Sequence, residues 1–344
     1  MDFLQQGREL KGRYTIESAP RVSEDSATVT YRARDNQTQE RVAIETPNPG
    51  IHDPGKLAKI QSRFAQEAQK LTMCSNHTHI IDVRGILFQE EGLWCLPLEY
   101  LAGGTLADLE EVCLEESKAL EYVRQIGEAL TVVHQCDLVH GDVRPANMRL
   151  RAASNEAVLT EFSLTRQVGN SATSRTMPAR WREYAPLEAI AGAPTPRSDL
   201  YMLGGTLYYL LTGRVPVGAM ERHEGAKLDF TRVTDGEPLS RQLEKAIASA
   251  MKLEEDKRPD SVGVWLVTLG FDVSPETGTV HKLSKEELSY EETKLKLEQQ
   301  KLASKNQWLV VIVTVLGIVG GVMGIVKLVY ELQPKPPQIQ EEAK

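Results

Sequence analysis

Short runs of alternating polar and apolar residues open the chain. Tyr14-Thr15-Ile16, Ala27 to Tyr31 and Val42-Ala43-Ile44 are parted by polar turns, which predicts antiparallel strands. Over 56–73 the period lengthens, and Phe64, Ala68 and Leu71 fall on one helical face. Apolar-rich stretches at 80–88 and 93–98 read as two more strands. From about residue 117 the pattern is mainly helical. Leu120, Val123, Ile126, Gly127, Leu130 and Val133 form one stripe, and 198–212 is strongly apolar. Strands first and helices afterwards predict an α+β architecture rather than alternating parallel units.

The C-terminal part is built differently. Residues 271–287 are polar with Gly, Pro and Thr, which predicts a linker, and 285–306 are rich in Glu, Lys, Gln and Leu, which predicts a solvated helix. Leu288, Leu295, Leu302 and Leu309 recur every seven residues, but the second seam position is polar, so a coiled coil is not expected. Trp308 to Val326 is a run of 19 residues without a charge. At about 1.5 Å per residue it reaches roughly 28 Å, and it has no polar face, so it predicts a membrane span. Gly317 with Gly321, and Gly320 with Gly324, give two overlapping small-residue pairs four apart, the spacing that lets two spans pack as a homodimer. Lys294, Lys296, Lys301 and Lys305 precede the span, while Lys327 and Lys335 follow it. That bias predicts the N-terminal part in the cytoplasm, anchored to an inner or plasma membrane; the start, Met1-Asp2-Phe3-Leu4, does not read as a signal peptide. The prolines from Pro334 onward predict a disordered tail.

Composition narrows the picture further. The 344 residues are 41% hydrophobic and 26% charged, a globular balance with room for two lobes. A net charge of −8 gives no reason to expect a nucleic-acid partner. Cys74, Cys95, Cys113 and Cys136 lie far apart with no metal-ligand rhythm, so reduced, buried thiols are expected.

An ordered set of short motifs runs through residues 13 to about 270: Tyr31-Arg32-Ala33-Arg34-Asp35, Val42-Ala43-Ile44-Glu45, Arg63-Phe64-Ala65-Gln66-Glu67, Leu98-Glu99-Tyr100-Leu101 with Gly103-Gly104, His140-Gly141-Asp142-Val143-Arg144-Pro145-Ala146-Asn147, Glu161-Phe162-Ser163, Tyr184-Ala185-Pro186-Leu187, Ser198-Asp199-Leu200-Tyr201 and Arg258-Pro259. In this order they resemble the eukaryotic-type Ser/Thr protein kinase family, in particular its membrane-attached bacterial members. The resemblance implies a bilobal fold, with an extension at 1–12, an N-lobe at 13–98, a C-lobe at 99–270, a linker and juxtamembrane helix at 271–307, the span at 308–326 and a tail at 327–344. It also implies a nucleotide pocket lined by Ala43, Glu99, Leu101 and Arg149. Asp142 falls at the position of the catalytic base, with Arg144 beside it, and Asn147 and Glu161 fall at the metal positions.

Phosphoryl transfer depends on positioning and on neutralising phosphate charge, so the charged positions are the test. The glycine-rich loop is replaced by Asp25-Ser26-Ala27-Thr28-Val29-Thr30. The phosphate-holding lysine is Glu45, a charge reversal that cannot pair with Glu67 on the next helix, and Lys56, Lys59 and Arg63 are the nearby cations. Two such carboxylates are expected to repel, or one to take a proton. Gly141 stands where the family has an arginine that senses activation-segment phosphate. Arg149 stands under the adenine and is expected to pair with Glu45 or Glu161. Glu161 replaces the metal-binding aspartate with a longer acid, against the tight geometry magnesium demands. Leu187 takes the slot of the glutamate that pairs Arg258, unless Glu188 moves in.

The resulting expectation is a pseudokinase: a membrane-tethered scaffold or regulator that binds another protein, a kinase or a regulated target, with no cofactor required. The alternatives are an atypical Ser/Thr kinase using ATP with Mg²⁺ or Mn²⁺, and an ATP-binding sensor. Thr173, Ser174 and Thr176 lie in the activation segment as candidates for phosphorylation.

Overall fold

The computed structural model describes residues 4–18, 27–162 and 179–271. A six-stranded antiparallel sheet comes first, from β1 (Glu9–Leu10), β2 (Tyr14–Ser18), β3 (Thr28–Asp35), β4 (Arg41–Pro47), β5 (Phe88–Glu90) and β6 (Leu93–Glu99), in the order β1-β2-β3-β4-β6-β5. Alternation decides which side chains enter which core. Val29, Tyr31 and Ala33 of β3 and Val42 and Ile44 of β4 fill an upper core with Leu4, Leu10, Tyr14, Ile16 and Cys95. Ala43 and Glu45 therefore turn to the opposite face, shared with Leu96 and Leu98 of β6. Leu4 and Leu10 are buried, the Gly7 amide donates to the Ile16 carbonyl, and the Ile16 amide donates to the Arg8 carbonyl. Residues 4–12 are thus part of the N-lobe, and the expected boundary at 13 is too late.

Helix α1 (Pro54–Cys74) starts where Asp53 accepts the Lys56 amide at 2.8 Å and Pro54 needs no partner. Ile60, Phe64, Ala68, Leu71 and Cys74 form its buried face. The strand expected over 80–88 does not form. Its backbone serves two different strands in turn. Ile80 bridges to Leu159 in the C-lobe and Val83 to Leu98 of β6, and only Phe88 joins a regular ladder.

The C-lobe holds α2 (Glu116–Gln135), the ribbon of β7 (Met148–Leu150) and β8 (Ala157–Leu159), and then α3 (Ala179–Arg182), α4 (Leu187–Ile190), α5 (Pro196–Thr212), α6 (Ala219–His223), α7 (Arg241–Ala250) and α8 (Val262–Thr268). Helix α5 is buried on nearly every side, which explains its lack of a polar stripe. Helix α2 lies against both α5 and α8. Among the described residues no helix is long and apolar enough to cross a membrane. The expected span at 308–326, its four glycines, the linker beyond 271 and Thr173, Ser174 and Thr176 lie outside the described residues.

Candidate functional site

Beneath the cleft, the backbone of the loop at 140–147 is held from below. Asp199, fully buried at the start of α5, accepts the His140 amide at 2.9 Å and the Gly141 amide at 2.7 Å, while His134 Nε2 lies 2.8 Å from the same carboxylate. Gly141 adopts φ +75°, a conformation glycine reaches without the cost a side chain would add. Its carbonyl accepts the Trp181 indole at 3.1 Å. His140 Nε2 donates to the Thr160 carbonyl at 2.9 Å, which leaves Nδ1 to accept the Asp142 amide at 3.2 Å. The Phe162 ring packs against the His140 ring.

Asp142 and Asn147 serve this loop directly. Asn147 Nδ2 donates to the Asp142 carbonyl at 2.8 Å, and the Asn147 carbonyl accepts both the amide and the hydroxyl of Thr160. Arg144 Nε donates to Asp142 Oδ1 at 2.9 Å, so this cation is engaged with the candidate base.

Above the cleft, Glu45 is 4% exposed, and its Oε1 has no hydrogen-bond partner among the described residues. Burial first, and the Glu161 carboxylate second, raise its pKa to about 8, with a Thr28 hydrogen bond acting the other way. Glu161, in the left-handed region at φ +56°, keeps contact with solvent in the cleft. Surrounding protein still raises its carboxyl; Arg149 opposes this, Asp142 adds to it, and Arg144 opposes it. The acid acting on Glu45 is therefore Glu161 across the cleft, not Glu67. Glu67 pairs along its own helix with Arg63, at 3.9 Å, while Lys56 and Lys59 are exposed.

Arg149 makes neither of the expected ion pairs. Its Nη1 donates to the carbonyls of Gly103, at 2.9 Å, and Leu101, at 3.3 Å. Gly103 is held so close to β7 that an added Cβ would lie 1.9 Å from the Leu150 carbonyl, which brings these acceptors within reach. Glu99 is also occupied, accepting from Arg151 at 2.7 Å and from the Asp82 amide at 3.0 Å. Sequence reasoning missed this Arg151–Glu99 pair, and also Thr28 and Trp181; opposite charge at Arg151 was the one signal present. A nucleotide triphosphate does not fit these residues as they stand. A buried carboxyl with one oxygen unbonded stands where the family has the phosphate lysine, and a guanidinium is bound to the carbonyls beside the base position.

The expected substitution at Arg258 is realised. Glu188 meets Arg258 end-on, accepting from Nη1 at 2.6 Å and Nη2 at 3.0 Å, and also accepts the Ser198 hydroxyl at 2.6 Å.

Residues 24–265 match the model of the protein kinase domain. A Corynebacterium efficiens protein described as a serine/threonine-protein kinase, drp72, is 30% identical over 203 residues, 57% of this chain and 38% of that protein. The chain thus spans under half the length of this curated relative. Among solved structures, the apo form of PpkA-294 superposes with a TM-score of 0.60 at 20% identity, over 77% of this chain and 99% of that one. The Mycobacterium tuberculosis PknI kinase domain gives 0.57 at 22% identity, over 81% and 100%. Both structures establish the bilobal α+β fold. With the ordered motifs and the match over most of its length, the chain belongs to the eukaryotic-type bacterial Ser/Thr protein kinase family.

Proposed function

We propose that this family member is a membrane-anchored signalling scaffold or regulator, a pseudokinase that does not carry out ordinary phosphoryl transfer. One observation carries the reading: Glu45 occupies the phosphate-lysine position, buried, with an oxygen left unbonded and a second acid opposite. Such a site offers phosphate no cation where the family has one. The neighbouring groups support a structural role, since Asp142, Arg144 and Asn147 bond one another and the loop. In this reading the kinase-like face binds another protein, the uncharged run at 308–326 anchors the chain with its kinase-like part in the cytoplasm, and the glycines from Gly317 to Gly324 pair two copies.

A second reading, an atypical Ser/Thr kinase, is favoured by the retention of Asp142, Asn147 and a carboxylate at Glu161. Titration of the purified full chain with ATP and Mg²⁺ or Mn²⁺, followed by calorimetry, separates the two. The wild-type chain is expected to show no binding up to millimolar ATP, whereas Glu45→Lys combined with Arg149→Leu gains measurable affinity. Binding by the wild type, with phosphotransfer abolished in Asp142→Ala, would overturn the scaffold reading; binding without transfer would make the chain an ATP sensor.

A further inference from the structure

The face of the sheet that carries Glu45 changes sign along its length. Strand register sets Thr30 opposite Glu45, Arg32 opposite Ala43 and Arg34 opposite Arg41, so the three arginines share the face of Ala43 and Glu45. On β2, Ile16 lies opposite Ala33 and Ser18 opposite Arg32, which leaves Glu17 as the extra residue of a bulge. Its carboxylate meets all three guanidiniums. Arg34 Nε donates to Glu17 Oε1 at 3.2 Å, while Arg32 Nε and Arg41 Nε lie 3.2 and 3.3 Å from Oε2. The Glu17 side chain is 17% exposed, against 42%, 43% and 56% for Arg32, Arg34 and Arg41.

A row of solvated charges on a strand face is the ordinary reading of such residues. Convergence speaks against it here, because like charges directly opposite each other, as Arg34 and Arg41 are, destabilise a sheet unless an anion gathers them. Three positive charges against one negative leave an excess of two. Nor does one carboxylate satisfy three guanidiniums. Its contacts at 3.2–3.3 Å are longer than the 2.6 and 3.0 Å of the Arg258–Glu188 pair, and longer than the roughly 2.7–2.9 Å of a good charge-assisted bond. Arg34 Nη1 reaches the Gln39 carbonyl at 3.3 Å, and Arg32 and Arg41 have no other acceptor among the described residues.

We infer that Arg32, Arg34 and Arg41 form a docking site for a phosphorylated side chain of a partner protein, with Glu17 filling the site until that partner arrives. A phosphate monoester carries about −1.5 to −2 charges and three acceptor oxygens. It matches the excess of two and offers one oxygen to each guanidinium, which two carboxylate oxygens cannot do. The arginines lie on the cleft side of the sheet, where an extended protein segment reaches them and the flat surface of a bilayer does not. The choice of a protein as the source rests on the scaffold reading above. That reading is tested at Glu45 with ATP, and the variants below leave Glu45 unchanged, so the two can fail separately.

The test follows the fluorescence anisotropy of a labelled phosphothreonine peptide, flanked by alanines, on titration with the purified full chain. The unphosphorylated peptide and one with aspartate for phosphothreonine run alongside. The phosphopeptide is expected to bind about tenfold tighter than either. Arg34→Gln should weaken it about tenfold, and Arg32→Gln together with Arg41→Gln should reduce it to the level of the unphosphorylated peptide. Glu17→Gln should tighten it about threefold, because a competing anion is gone. Arg241→Gln, at an exposed arginine outside the cluster, should change nothing. Thermal denaturation checks that each variant is folded; should Glu17→Gln not fold, the arginine variants and the three peptides still decide the matter. The inference is overturned if the aspartate peptide binds as tightly as the phosphopeptide, or if Arg241→Gln weakens binding as much as Arg34→Gln. A folded Glu17→Gln with no gain in affinity overturns it too, since Glu17 would then only neutralise the arginines. Tighter binding of a short-chain phosphatidic acid than of the phosphopeptide would make the source a lipid and equally overturn it.

Discussion

Glu45 and Glu188 are two glutamates held in protein under opposite electrostatic regimes. Glu188 loses water as Glu45 does, but Arg258 meets it through two bonds and Ser198 adds a third, so its carboxyl is held below the usual range despite burial. Among the described residues no cation pairs with Glu45, and its carboxyl is driven upward. Burial alone therefore does not decide the charge of a glutamate in this chain; the partner does. Where the fold needs an ion pair, the sequence keeps one even after the usual glutamate slot becomes Leu187. Where phosphate binding would need a cation, it does not.

The sharpest way to break this comparison is to remove the partner that Glu188 has. Arg258→Leu strands the Glu188 carboxylate and releases the carbonyls of Lys252, Leu253 and Arg197. It is expected to cost about 3–5 kcal/mol, seen as a lowered urea midpoint of the full chain. A cost under about 1 kcal/mol would mean that the pair does not support the fold.

The next test is the pH dependence of Glu45. Its carboxyl titrates near 4.5 when free and at about 8 in the fold. Between those values the unfolded chain has released a proton that the folded chain still holds, so folding weakens as pH rises. This contribution is complete below about 4.5 and lost as pH climbs through about 8. Glu45→Gln should flatten that slope and leave the chain more stable at pH 8 by on the order of 2 kcal/mol. Equal slopes for wild type and variant in Tm against pH would show that Glu45 ionises freely. The smallest effect is expected at Arg63, whose pair with Glu67 is long and partly exposed. Arg63→Ala should change stability by about 0.5 kcal/mol or less, measured by the same denaturation, and a larger loss would mark Arg63 as a true replacement cation.

Much of the fold was legible because periodicity and burial agree. The strands around Tyr14, Tyr31 and Ile44, the face of α1 and the stripe of α2 fell where their spacing put them. The stretch at 80–88 misled because its apolar content resembles a strand, whereas its backbone bonds are divided between β8 and β6. Residues 4–12 were missed because two buried leucines are too few to show a period. In the site, Glu188 rescuing Arg258 was readable from adjacency in sequence. The partners of Arg149 were not, because they are backbone carbonyls, which every residue offers and no motif marks. That Glu45 faces Glu161 rather than Glu67 depended on which way the side chains turn across the cleft.

Trp181 bears on how such a protein can be controlled. Its indole is bonded to the Gly141 carbonyl, in the loop where the family by resemblance places a phosphate-sensing arginine. An indole carries no charge to be neutralised and answers to no kinase or phosphatase. The joint between the loop and Trp181 therefore rests on a neutral donor, which offers an attached phosphate no countercharge of the kind a guanidinium would supply.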